Sequence, residues 1–177
     1  GYAYSDQGKV KEAFDAYNQA LALWQITNHR RGEAITLNAT GYLYSRIGES
    51  QNALDFFERA TKLIRVVGDP IEEARALNGI AYINLRLGAS DRALQYYDRS
   101  LPLYRLAQYP TGEATTLGEI GRVYYSLGDN QKAIDYHQQS SKVFRALRNR
   151  RMEGMELKEL GKCYDSQGDR RRALENF

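Results

Sequence analysis

The stretch Gly112–Leu147 reads GEATTLGEIGRVYYSLGDNQKAIDYHQQSSKVFRAL, two amphipathic helical runs joined by a short turn at Leu127-Gly128-Asp129. The rest of the chain copies it, whole or cut short. Matching the sequence against itself finds one offset, forty residues, at which it repeats. The turn glycine recurs at Gly8, Gly48, Gly88, Gly128 and Gly168, and Ala13, Ala53, Ala93, Ala133 and Ala173 follow at a constant distance. Glu33, Glu73, Glu113 and Glu153 share a position, as do Leu37, Leu77, Leu117 and Leu157. Gly1, Gly41, Gly121 and Gly161 share another, with Ala81 in the remaining slot. Aromatics fill a sixth at Tyr17, Phe57, Tyr97 and Phe177, where His137 is the exception.

Each half-repeat has helical spacing. Ala34, Leu37, Gly41, Tyr44 and Ile47 fall on one face of a helix, and Ala53, Phe57, Ala60, Ile64 and Val67 on one face of the next. The small residues let the helices approach closely and the large ones fill the opposing groove. Gly48 and its equivalents can take the left-handed conformation that ends a helix. Asp69-Pro70-Ile71-Glu72 reads as an N-cap, a proline at the first helical position and a capping-box glutamate. Tyr109-Pro110-Thr111-Gly112 marks the same boundary one repeat later.

The pattern Leu37, Gly41, Tyr44, Gly48, Ala53, Phe57, Ala60 resembles the tetratricopeptide repeat, and the resemblance covers the whole chain. The common form has about 34 residues per repeat. The six extra residues here add about 9 Å of helix, about a turn to each helix of a pair. Forty-residue repeats with GEATTL and LPLYR wording look most like the arrays of bacterial CHAT-domain proteins and of Pins-type polarity adaptors. The resemblance implies an all-α, right-handed superhelical solenoid of antiparallel helix pairs, one domain over 1–177. Its units are 1–28 (partial), 32–67, 72–107, 112–147 and 152–177 (partial). It implies a protein–protein interaction scaffold or sensor, the regulatory part of a larger protein.

In this family the first helices make a concave wall. Residues one helical step from the packing face are Asn38, Tyr42, Arg46, Arg75, Asn78, Tyr82, Arg86, Glu119, Arg122, Ser126, Lys158 and Lys162. They vary between repeats while the packing positions do not, so partner recognition is expected there. Arginine and amide groups can hydrogen-bond carboxylates and the backbone of an extended peptide. The partner expected is a protein or an acidic peptide. The bland reading is a solvated polar groove whose partner docks elsewhere, or more chain of the same protein.

Charge supplies the alternative. The formal net charge is +3. Residues 1–88 balance at ten basic and ten acidic, whereas 142–172 hold ten basic against five acidic. Arg145, Arg148, Arg150 and Arg151 bracket one loop, and Arg170, Arg171 and Arg172 open the last helix. Such clusters can hold phosphates, giving a nucleic-acid-binding array as the second reading. Interleaved Glu153, Glu156 and Glu159, and the lack of aromatics placed to stack on bases, favour a solvated or protein-binding face.

Chemistry is not expected: no catalytic constellation, metal set or cofactor motif is evident, so the array reads as no enzyme. The single Cys163 excludes an intrachain disulfide and occupies the position of Leu43, Ile83 and Val123, a small buried hydrophobe. No run of about eighteen apolar residues exists to span a membrane. Reducing cytoplasm is the default location. Uncapped repeat ends point to self-association. Trp24 is expected in the core, His29 as a solvated loop histidine without a partner, His137 as a packing imidazole, and Pro102 as a bend near Asp98 without a break.

Overall fold

Helices run wherever the three-to-four spacing runs, and they stop wherever a left-handed residue falls. The computed structural model describes the backbone of residues 2–176 and the side chains of residues 9–176. Gly1, Phe177 and the side chain of Tyr4 lie outside the described residues. In order, the helices are α1 (Tyr2–Ile26), α2 (Arg30–Arg46), α3 (Ser50–Val67), α4 (Pro70–Arg86), α5 (Ser90–Leu106), α6 (Pro110–Ser126), α7 (Asn130–Ala146), α8 (Arg150–Ser166) and α9 (Arg170–Asn176). No strand occurs among the described residues. The architecture is an all-α helical repeat, as expected.

Two kinds of turn alternate. Within a repeat, Gly48, Gly88, Gly128 and Gly168 have φ of 86°, 77°, 80° and 79°. Between repeats the left-handed residue is Gly68 once, but Asn28, Gln108 and Arg148 otherwise, at φ of 52°, 50° and 55°. Except at Gly68, whose own N–H donates to Ile64 O at 2.8 Å, both kinds close with the same backbone bond, in which the residue after the left-handed one donates five positions back. Asp129 N donates to Tyr124 O at 3.0 Å and Asn149 N to Phe144 O at 2.9 Å. A side-chain strap spans each inter-repeat turn. Gln25 donates to Glu33 at 3.1 Å, Arg65 to Glu73 at 2.8 Å, and Arg105 and Arg145 to Glu113 and Glu153 at 2.7 Å each. The shared glutamate position of the sequence is therefore a strap anchor.

The next helix is capped by side chains of varied identity. Asp69 accepts from Ile71 N and Glu72 N, Asp129 from Lys132 N, and Asn149 from Met152 N. Burial works to raise the Asp69 carboxyl. The bond from Glu72 N, with Arg31 and Ile71 N, outweighs it and holds the group below the usual carboxylate range. Three expectations are corrected here. His29 is the N-cap of α2, its Nδ1 accepting from Gly32 N at 2.9 Å and its ring 4.9 Å from that of Trp24. Glu72 closes no capping box but turns to Arg75 and Asn38. The turn expected at Gly8 does not form, and α1 runs through it as one helix.

The described helices group into two compact units, residues 1–83 and 84–177. In the first, Phe57 is wholly buried between glycines of two helices. A Cβ on Gly41 would stand 2.8 Å from the Phe57 ring, and one on Gly79 would overlap it. Ala34, Leu37, Ala53, Ala60 and Ile64 complete the face expected from the spacing. Ile47 departs from it: as the residue ending α2 it is 45% exposed. Tyr44 stacks with Phe56 at 5.2 Å and packs against Phe14 at 4.7 Å. Trp24 is half-buried and donates from Nε1 to Thr36 Oγ1 at 3.1 Å.

In the second unit α6, α7 and α8 pack around Leu117, Ile120, Val123, Ile134, Phe144 and Leu160. α5 runs through Pro102 without a break and buries Tyr104 beyond it. Cys163 is buried, as expected, and burial pushes its thiol up to about 11.

Candidate partner-binding face

The candidate residues divide between the two units. In residues 1–83, α2 carries Asn38, Tyr42 and Arg46, and α4 carries Arg75, Asn78 and Tyr82. Two side chains join these helices directly. Tyr42 OH donates to Arg75 O at 2.9 Å while its ring meets Phe57 edge-on at 4.9 Å. Asn38 donates from Nδ2 to Glu72 O at 3.1 Å. Asn38 is thus a buried strut and not a face residue, since Glu72 of the following repeat covers it. Tyr42 and Arg46 are exposed, and Asn78 and Tyr82 are half-buried. Ile35, absent from the positions expected on this face, is 38% exposed on α2. The face therefore offers a phenol fixed by its hydroxyl, an aliphatic patch and an arginine that Glu72 already neutralises at 2.5 Å. Arg86 is exposed in the last turn of α4.

In residues 84–177, α6 carries Glu119, Arg122 and Ser126, and α8 carries Lys158 and Lys162. Here two of the three cations have acidic partners one turn back on their own helices. Arg122 meets Glu119 at 3.0 Å and Lys162 meets Glu159 at 2.8 Å, while Lys158 is exposed. Burial pushes the Glu119 carboxyl up; Arg122 opposes the shift and nearby Glu156 adds to it. The cations expected along this wall are, in this unit, paired with acids except at Lys158.

A buried polar pair behind this row was not anticipated. His137 is 1% exposed and its Nδ1 lies 2.7 Å from Glu156 Oε2. Glu156 reaches across to α6, where a Cβ on Gly118 would stand 2.5 Å from its Oε1. The ring lies on Gly121, and its Nε2 has no hydrogen-bond partner among the described residues. The signal was present in the sequence. His137 replaces Phe57 and Tyr97, and Glu156 replaces Ala76 and Thr116, so both exceptions fall at positions nineteen residues apart. Among the described residues no group of three or more His, Cys, Asp or Glu side chains could hold a metal ion.

Antiparallel helix pairs at a fixed repeat, with recurrent packing positions and variable first-helix faces, define a helical-repeat fold. The tetratricopeptide repeat family model matches residues 1–65, 72–146 and 112–177, and the chain belongs to that family. A comparison with curated proteins finds no match. Among solved structures the chain is similar to BtubC (BKLC) from P. vanneervenii, at 23% identity and a TM-score of 0.84, covering 97% of this chain and 72% of that one. It is also similar to a Rap protein complexed with competence and sporulation factor, at 19% identity and a TM-score of 0.85, covering 99% of this chain and 49% of that one. A third is a signal-transduction ATPase with numerous domains and a tetratricopeptide repeat sensor, from Pyrococcus horikoshii. There the identity is 20% and the TM-score 0.79, covering 98% of this chain and 28% of that one. The chain therefore spans about half or less of the length of two of these three, and at these identities the likeness shows the fold. No described helix is long and apolar enough to cross a membrane.

Proposed function

We propose that the chain is a protein-interaction scaffold or sensor array, the regulatory part of a larger protein, and that it binds a peptide on the α2–α4 face. The observation that carries this is Tyr42, held by its bond to Arg75 O and its edge-on contact with Phe57. A side chain fixed before binding loses little conformational freedom when a ligand arrives. Exposed Ile35 and Arg46 flank it on α2, giving an apolar contact and a cation without an acidic partner among the described residues. The ligand that matches is a peptide with an apolar residue and a nearby carboxylate. Two similar proteins support an interaction role for the fold: one is complexed with competence and sporulation factor, the other carries its repeats as a sensor. Attachment to a CHAT-like protease rests on the wording of the repeats.

The test is fluorescence anisotropy against arrayed peptides, comparing the parent chain with Tyr42→Ala and Arg46→Glu. Both variants are expected to weaken the selected acidic peptides by about tenfold, as a fixed aromatic anchor and a charge contact do. Unchanged binding by both would remove this face from the function.

A further inference from the structure

The register that builds the fold also shows where it leaves a gap. At the end of α7 two positions that are larger elsewhere are cut back. Leu23, Leu63 and Leu103 become Val143, and Ile26, Val66 and Leu106 become Ala146. Both truncated positions line a groove of about 400 Å³ between α6 and α7. Its floor and sides are Pro110, Leu117, Val143, Ala146 and Leu147, with Leu147 40% exposed.

The rim is charged in one sense. Glu113 is the only acid on it, and Arg105 already holds that carboxylate at 2.7 Å. Lys142 lines the groove, and beyond its end the chain carries Arg148 in the next turn and Arg151 at the start of α8. None of these three has an acidic partner among the described residues, while Arg145 and Arg150 both converge on Glu153. An apolar trough beside uncompensated cations is matched by an apolar row flanked by acids.

We propose that this groove docks the apolar face of an acid-flanked helix from a partner protein. The site is separate from the α2–α4 face and does not depend on it. A helix suits it better than an extended strand. The groove is bounded by two helices whose backbone groups are already paired, so a strand would find no ladder to extend. A row of leucines at three-to-four spacing can seat as a ridge between α6 and α7. Phosphate backbones would use the cations but leave the trough empty, and a bilayer surface favours protruding apolar side chains over recessed ones.

The chain itself supplies the test variant. Ala146→Leu restores the residue found at Leu106, an exposed position at which the fold already accepts leucine. It fills the groove from the surface side without entering the core. The probe is a fluorescein-labelled, helix-forming peptide of about sixteen residues, with leucines at i, i+3, i+4 and i+7 and flanking glutamates. A second peptide has lysines in place of the glutamates, and phosphatidylcholine–phosphatidylserine vesicles are titrated alongside. The expected result is saturable binding of the acidic peptide, weakened about tenfold or more by Ala146→Leu and by Lys142→Glu with Arg148→Glu. All titrations are made in the Tyr42→Ala background, which takes the anchor of the α2–α4 face out of the readout. The lysine peptide binds more weakly. The proposal is overturned if the acidic peptide does not bind or if Ala146→Leu binds it as well as the parent. It is equally overturned if the lysine peptide binds equally, or if only the vesicles bind. Circular dichroism confirms that each variant keeps its helix content.

Discussion

At the level of single residues, the inter-repeat turn makes a demand that the sequence meets unevenly. The position requires positive φ, and Gly68 takes it without strain, whereas Asn28, Gln108 and Arg148 hold φ of 52°, 50° and 55°. For an L-residue with a long side chain the left-handed region costs roughly 1–2 kcal/mol. Glycine removes that cost but returns part of it as unfolded-state entropy, roughly 0.5–1 kcal/mol. Gln108→Gly and Arg148→Gly are therefore each expected to raise stability by about 0.5–1 kcal/mol in urea unfolding. Asn28→Gly should gain less, because asparagine tolerates the region. A loss of stability in both long-side-chain variants would mean that contacts of Gln108 and Arg148 outweigh the backbone term.

At the level of helices, His137 and Glu156 tie α7 to α8 where other repeats use hydrocarbon. Removing one partner from a buried pair strands the other without its hydrogen bond, which costs about 3–5 kcal/mol. Phe57 with Ala76 shows the combination that the fold uses elsewhere at the same spacing. His137→Phe and Glu156→Ala are each expected to destabilise by about 2 kcal/mol or more, and the double variant to recover most of the loss. Additive losses in that cycle would show that the two residues do not act as a pair. The turns within repeats were legible in the sequence because the glycine recurs at Gly48, Gly88, Gly128 and Gly168, although at Gly8 the same residue marks no boundary. The partners of side chains were not. A three-to-four spacing gives the face on which Asn38 lies, but its cover is Glu72, thirty-four residues away in the next repeat. His29 looked solvated as a lone loop histidine; its position holds His, Asp, Tyr and Asn in turn, and only geometry shows a shared capping role for three of them.

At the level of the whole molecule, composition suggested a basic protein, and pairing changes what that charge can do. Arg31, Arg65, Arg75, Arg105, Arg122, Lys132, Arg145 and Lys162 all sit within 3.0 Å of a carboxylate, so much of the basic content is already answered internally. A chain that bound nucleic acid through phosphates would have to break such pairs or rely on the remainder. Six or more phosphate contacts would cost about 10³-fold in affinity between about 50 and 200 mM salt, along a log-linear course. A scaffold that seats apolar side chains and a few carboxylates releases few ions. Its affinity for an acidic peptide is expected to fall by no more than about tenfold over the same range. Parallel titrations with the peptide and with duplex and single-stranded oligonucleotides decide between the two. A steep slope with the oligonucleotides, together with binding that survives at the higher salt, would return the array to nucleic-acid recognition. A shallow slope with the peptide alone fits a molecule whose repeats pair their charges at home and keep apolar and fixed aromatic surface for a partner.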